Sequence, residues 1–175
     1  KFENLYSNYK KGDVSSWVIT QMNKKGLRDF GATLGPEAAH HISIGSDTLA
    51  LRMERACENA RTLTEYLSSH DSVKKVYYPG LSGHPQHQLS TELFKHCGAL
   101  FSIELNDEID CFDFLNRLNL VISASNLGDT RSLAIPVAHT IYHEMGPERR
   151  ASMGIADSLV RFAIGIEDTA DLLAD

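Results

Sequence analysis

Leu159-Val160-Arg161-Phe162-Ala163-Ile164-Gly165-Ile166-Glu167-Asp168 is the stretch that decides the fold. As a strand it sends Val160, Phe162, Ile164 and Ile166 to one face and Leu159, Arg161, Ala163 and Gly165 to the other, because strand side chains alternate with a period of two. The first face is apolar enough to be core. The second is mostly small, so a long cation beside Ala163 and Gly165 has room for an anion to approach, and a guanidinium fork matches a carboxylate at two points. Taken alone, the strand leaves a second reading of Arg161 open: an ion pair with an Asp or Glu of the same fold.

Working outward, the chain after residue 70 alternates between strand and helix. Val73 to Tyr78 reads as a strand stopped by Pro79-Gly80, Leu81 to His87 as a loop, and Gln88 to Cys97 as a helix. Ala99 to Leu105 is a strand, Asp107 to Leu118 a helix, Leu120 to Ala124 and Ser132 to Pro136 strands, and Pro147 to Met153 a turn or two of helix. Thr169 to Asp175 begins a last helix. Upstream, Ser46 or Asp47 is a cap for a long helix to about Ser69, whose Leu49, Met53, Ala56, Cys57, Ala60, Leu63 and Leu67 keep amphipathic spacing. Pro36 to Ile44 reads as a short helix closed by Gly45, and Leu27 to Gly35 as a connector. Ser15 or Ser16 can cap a helix to Lys25, and Lys1 to Gly12 is an irregular lead-in. Strands broken by helices with short returns predict an α/β (α+β) fold, a sheet covered by helices on one side.

The length of 175 residues predicts one main domain with its own core. A formal net charge of −6, with Lys and Arg scattered, gives no nucleic-acid footprint. No apolar run has membrane-spanning length and the amino terminus has no signal-peptide pattern, so the expected location is cytoplasmic. The chain starts at Lys1 without a Met and is expected to be a piece of a longer protein. Cys57, Cys97 and Cys111 are odd in number and unpaired in sequence, which points to packed thiols rather than disulfides or zinc.

Among the 8 histidines, His40 and His41 diverge by about 100° on a helix, His84 and His87 flank a loop proline, and His139 and His143 are four apart. Without HExxH or a Cys partner, no metal site is expected. No GxSxG elbow, Walker loop or complete dinucleotide fingerprint is present. Ser125-Asn126-Leu127-Gly128-Asp129 is a strand end turning over, with an amide beside free backbone donors; it is either a plain turn or part of a site.

Several stretches stand in a collinear series: Leu27-Arg28-Asp29-Phe30-Gly31-Ala32; Thr48 to Arg55 with Glu58-Asn59-Ala60; and Val76-Tyr77-Tyr78-Pro79-Gly80-Leu81 with His84-Pro85 and His87. Asn126-Leu127-Gly128-Asp129 and Leu159-Val160-Arg161 to Asp168 follow. In order and spacing, over residues 27 to 175, this resembles the Cys/Met-metabolism family of pyridoxal-phosphate enzymes, which includes O-acetylhomoserine sulfhydrylase, methionine γ-lyase and the cystathionine synthase and lyases. The resemblance implies the carboxy-terminal small domain of a fold-type-I pyridoxal-phosphate-dependent transferase over residues 31–175, with residues 1–30 a lead-in and helix from a large domain. It implies pyridoxal 5'-phosphate as cofactor, bound mainly by that large domain, and a homotetrameric full-length enzyme.

The departures locate what this stretch lacks. The family's Schiff-base lysine follows a Ser-x-Thr-Lys motif, absent here, and Lys24 and Lys25 stand outside any such motif. No catalytic residue is therefore assigned, and the chain alone is expected to be inactive. By resemblance, Arg161 matches the arginine that holds the substrate α-carboxylate, and Asn126 and Leu127 match the region lining the same pocket. Thr140 matches a family threonine to within one position, since Pro136-Val137-Ala138-His139-Thr140-Ile141 replaces a His-Pro-Ala-Ser-Thr-Thr run. Asn126 stands where lyases often have Ser and, with the long lead-in, resembles the sulfhydrylase branch. That branch joins O-acetylhomoserine to sulfide or a thiol. Methionine γ-lyase and cystathionine γ-synthase or lyase are the alternatives within the family, and a non-catalytic amino-acid-binding or interaction domain is the alternative outside it. An apolar face near Trp17, Met22 and the Leu34 to Ile44 segment is expected to promote self-association.

Overall fold

The computed structural model describes residues 14–175, and the lead-in over residues 1–12 lies outside them. In chain order the elements are a 3-10 turn (Val14–Ser16), α1 (Trp17–Gln21), a π-helical segment (Met22–Leu27), α2 (Arg28–Phe30), α3 (Pro36–Asp47) and α4 (Leu49–Leu67). They continue as β1 (Val73–Tyr77), α5 (His87–Leu93), β2 (Leu100–Leu105), α6 (Cys111–Arg117), β3 (Ile122–Ser123) and β4 (Leu133–Pro136). Two 3-10 turns (Val137–His139, His143–Met145), α7 (Pro147–Ser152), β5 (Leu159–Ala163) and α8 (Thr169–Ala174) complete the chain. The chain divides into two units between Asp47 and Thr48, and α3 groups with the amino-terminal one.

In the amino-terminal unit the helical path runs further than the sequence suggests. Gly26 costs a helix only about 1 kcal/mol and does not stop it. The path ends at Gly31, whose φ of 66° takes the left-handed turn and whose N–H donates to the Leu27 carbonyl at 2.8 Å. Gly45 likewise lies inside α3 rather than closing it. None of α1, α2 or α3 has a buried residue, and Phe30 is 85% exposed.

The unit over residues 48–175 is built on a five-stranded sheet in the order β1-β2-β5-β4-β3. Every neighbouring pair is antiparallel except β3 with β4, which are parallel. β5 lies at the centre. Its Phe162 is in register with Phe101 of β2 and Ala134 of β4, and the rings of Phe101 and Phe162 stack with centroids 5.1 Å apart. This row, with Ile103, Leu105, Val160 and Ile164, meets Ala60 and Leu63 of α4, Cys111 and Leu115 of α6, and Leu172 of α8. Helices thus cover one face of the sheet, as the alternating pattern requires.

Three departures have identifiable physical causes. β3 is two residues long instead of five, because the backbone N–H groups of Asn119, Leu120 and Val121 donate to the Asp175 carboxylate at 2.6, 3.0 and 3.1 Å rather than to a strand. α6 starts at Cys111 because the Asp110 side chain accepts from the N–H groups of Phe112 and Asp113, fixing the start of the helix there. Ile166 is 38% exposed, against the expected core position, because the chain leaves the sheet after Ala163 and the two-residue period stops with it. On α4, Leu49 and Met53 are also exposed, so only the stripe from Ala56 onward is core.

Candidate functional site

Arg161 sits on the central strand, in register with Ser102 on one side and Ile135 on the other, one step from the core row. Its Nη2 donates to the Ser125 carbonyl at 2.8 Å. Its Nε is buried and has no hydrogen-bond partner. Among the described residues no carboxylate pairs with it, so the ion pair that the strand left open is not formed. A buried N–H without an acceptor costs about 1–3 kcal/mol, which an acceptor arriving from outside the chain would recover.

The parallel pairing of β3 with β4 brings the next segments to the same end of the sheet. Ala124 still donates to the Ala134 carbonyl at 3.1 Å, and Ser125 then turns its own carbonyl to Arg161. Asn126 and Leu127 follow directly and are exposed, Leu127 by 55%. Gly128, at a φ of 74°, makes the turn that a side chain would strain. Asn126 and Leu127 are therefore the next two residues after the carbonyl that Arg161 holds. Thr140 leaves the same end of β4, after the Val137–His139 turn, but its hydroxyl donates to the Pro136 carbonyl at 2.8 Å and makes no bond to Arg161.

The space beside Gly165 is not open to a ligand as its position on the small face suggested. A Cβ there would lie 2.2 Å from the Thr130 carbonyl oxygen and 2.6 Å from Arg131 C, so Gly165 is there to let backbone approach backbone. Around it runs a polar network. Ser132, fully buried, donates its hydroxyl to Glu167 Oε2 at 2.9 Å and its N–H to the other carboxylate oxygen, and accepts from Gly165 N–H at 2.9 Å. Asn59, also fully buried, donates to the carbonyls of Gly165 at 3.1 Å and Glu167 at 2.9 Å and accepts from the Thr169 hydroxyl at 2.6 Å. Arg55 adds a bond to the Glu167 carbonyl at 3.2 Å, and Ile166 N–H donates to the Thr130 carbonyl at 2.9 Å. Sequence reasoning passed over Ser132, Glu167 and Asn59 as functional residues. The available signal was Asn59, a polar side chain on the apolar stripe of α4. Just before the network, Arg131 holds the Asp129 carboxyl down to about 2 by a two-oxygen contact.

The histidines with assigned bonds serve local structure. His87 Nδ1 contacts the Pro79 carbonyl at 2.9 Å, and His139 Nε2 contacts the Asp157 carbonyl at 3.0 Å with Phe112 against its ring. Among the described residues no group of three or more His, Cys, Asp or Glu is arranged to hold a metal ion. Cys57 and Cys111 are buried and free, and burial pushes both thiols up. Cys97 is half-buried. No described helix is long and apolar enough to cross a membrane. A groove of about 570 Å³ between α4, α6 and α8 includes none of Arg161, Asn126, Leu127 and Thr140.

Comparison with known proteins gives this geometry its context. The model of the Cys/Met metabolism PLP-dependent enzyme family matches residues 10–175. The chain belongs to that family. L-methionine γ-lyase of Fusobacterium nucleatum subsp. nucleatum is 41% identical over 173 residues, covering 94% of this chain and 44% of that protein. O-acetyl-L-homoserine sulfhydrylase 1 of Thermus thermophilus is 38% identical over 159 residues, covering 90% of this chain and 38% of that protein. Among solved structures, cystathionine γ-lyase from Lactobacillus plantarum complexed with L-serine superposes with a TM-score of 0.78 at 34% identity, over 83% of this chain and 38% of that one. This member of the Cys/Met metabolism family thus spans less than half the length of the relatives it matches, and its fold is that of fold-type-I pyridoxal-phosphate enzymes.

Proposed function

We propose that this chain supplies the carboxy-terminal small domain of a pyridoxal-phosphate enzyme acting at the γ-carbon of a sulfur-pathway amino acid, and that Arg161 holds the substrate's α-carboxylate. The observation that carries the reading is the unpartnered, buried Nε of Arg161, in a guanidinium that no carboxylate of the described residues neutralises. The residues present fit the substrate side of a cofactor site. Lys24 and Lys25 are exposed on the π-helical segment, and neither follows the family's lysine motif.

Pyridoxal phosphate, when bound, supplies the electron sink that lets an amino acid lose its α-proton and then a γ-leaving group. Arg161 contributes position: two parallel hydrogen bonds to the carboxylate fix the rotation about the bond to the α-carbon and so select which α-bond faces the cofactor. Asn126 and Leu127, next to the Ser125 carbonyl that Arg161 holds, line the same approach. Thr140 borders it from the end of β4, where its hydroxyl fixes the turn.

For the reaction we read γ-replacement, O-acetylhomoserine with sulfide or a thiol, by a cytoplasmic homo-oligomer; Asn126 supports this branch. A second reading, elimination from methionine, is favoured by the 41% identity to a methionine γ-lyase over 94% of the chain. The test is to load the full-length enzyme with pyridoxal phosphate and offer O-acetylhomoserine with sulfide, or methionine alone. Homocysteine and acetate from the first pair support replacement. 2-Oxobutanoate, ammonia and methanethiol from methionine alone support the lyase, and no product from either contradicts the enzymatic reading.

A further inference from the structure

The network around Glu167 touches nothing that the proposed reaction needs directly, yet it joins a fully buried Ser132 and a fully buried Asn59 through six hydrogen bonds. Its members come from α4, from the segment before β4 and from the segment after β5. Their common effect is to tie down one end of the segment from Ser125 to Ser132. At the near end Ala124 is bonded to β4 and the Ser125 carbonyl to Arg161. At the far end Thr130 is bonded to Ile166, and Ser132 to both Glu167 oxygens and to Gly165. Between the anchors only Asn126 to Asp129 project, and they include the two residues read as lining the substrate approach.

We propose that the Ser132–Glu167 pair is a positioning clamp: the two-oxygen grip of Glu167 on Ser132 holds the Asn126–Leu127 turn, and through the Ser125 carbonyl the Arg161 fork, at the place a substrate carboxylate occupies. The inference rests on the assignment of Arg161 to that carboxylate. Charge-assisted bonds from an N–H and a hydroxyl to one carboxylate are short and directional, so the clamp specifies position as well as adding stability. Its buried anchor on α4 is Asn59, which holds the Glu167 and Gly165 carbonyls from behind and whose own carbonyl oxygen is satisfied by Thr169. A clamp that merely stabilised the fold would not need to converge on the segment that Arg161 grips.

The two roles separate by coupling. Displacing a positioned group by about 1 Å can cost up to roughly 100-fold in rate, so Glu167→Gln and Ser132→Ala in the full-length, cofactor-loaded enzyme should each lower kcat/KM for the amino-acid substrate by about 10- to 100-fold. They should also weaken the binding of L-norleucine, which carries the α-carboxylate but no leaving group, by about the same factor in titration calorimetry. The decisive arm repeats each variant on an Arg161→Ala background. Residues that act through one another are non-additive, so the second loss should nearly vanish there, both in kcat/KM and in norleucine affinity.

Full additivity, or single variants that leave norleucine binding and kcat/KM unchanged while Arg161→Ala lowers both, overturns the clamp and leaves the Arg161 reading standing. An Arg161→Ala enzyme with unaltered norleucine affinity overturns the Arg161 reading and the clamp with it. Glu167→Gln removes an acceptor from a part-buried pair and, should it fail to fold, Ser132→Ala decides alone, since it removes the hydroxyl's bonds to Glu167 and Gly165 and leaves the Ser132 N–H bond to Glu167 in place.

Discussion

Replacing Arg161 by Ala should weaken capture of an amino-acid substrate by about 2–5 kcal/mol, the range for truncating one partner of a buried charge pair. It should change folding stability by no more than about 1 kcal/mol. The small folding effect follows from the bonds. Arg161 gives the folded chain one hydrogen bond, Nη2 to Ser125, worth about 0.5–1.5 kcal/mol, and sets against it a buried Nε without an acceptor, which costs about 1–3 kcal/mol, so the two largely offset one another. The neighbours that carry the core, Val160 and Phe162, point to the other face and are not disturbed. Arg161→Lys keeps the charge but not the fork, so it should fall between wild type and Arg161→Ala. The assay uses the full-length enzyme: thermal unfolding, and steady-state kinetics varying each substrate in turn. The loss should appear in kcat/KM of every amino-acid substrate alike, at least about 30-fold for Arg161→Ala, with the KM of the sulfide or thiol nearly unchanged. If Arg161→Ala instead unfolds the domain by the 3–5 kcal/mol typical of a broken buried ion pair while Arg161→Lys is fully active, Arg161 is structural and the reasoning fails.

Gly165→Ala should destabilise by about 1–3 kcal/mol, because the new methyl would meet the backbone of Thr130 and Arg131, which has no room to yield; an unchanged urea midpoint would refute the close approach. Burial pushes the Cys57 and Cys111 thiols and the Tyr78 phenol up, so the folded chain holds these protons more tightly than the unfolded one. Their contribution to stability is intact below the unfolded thiol value near 9 and is lost as pH rises beyond it, so the urea midpoint should fall between pH 8 and 10.5; a flat profile contradicts this. With Val18, Met22, Leu34 and Ile42 each more than half exposed, the 175-residue chain should self-associate and bind a hydrophobic dye at high concentration, and a strict monomer without dye binding would count against that surface.

What was legible in the sequence was what has a period. The alternation in Leu159 to Ile164 gave the central strand and its core face, and the three-and-four spacing from Ala56 to Leu63 gave the buried stripe of α4. Boundaries shifted where a distant group intervened: β3 was shortened by Asp175, a carboxylate more than fifty residues away in sequence. Gly26 and Gly45 looked like stops because glycine weakens helices, but only Gly31 combines that weakness with the left-handed turn that ends one. Arg161 stood out on the strand and Asn126 in its turn, family resemblance supplied their roles, and the Ser125 carbonyl reaches Arg161 because β3 and β4 are parallel, which no local pattern announces. The Asn59, Ser132 and Glu167 network pairs residues up to 110 positions apart, and polar contacts at that range leave no periodic trace.

The most direct test of the central claim is a crystal structure of the full-length enzyme with pyridoxal phosphate and L-norleucine. The account predicts both carboxylate oxygens of the ligand at about 3 Å from Arg161, one of them accepting from Nε, with Nη2 still on the Ser125 carbonyl. A ligand carboxylate bound by other groups, with Arg161 Nε still lacking an acceptor, would contradict it.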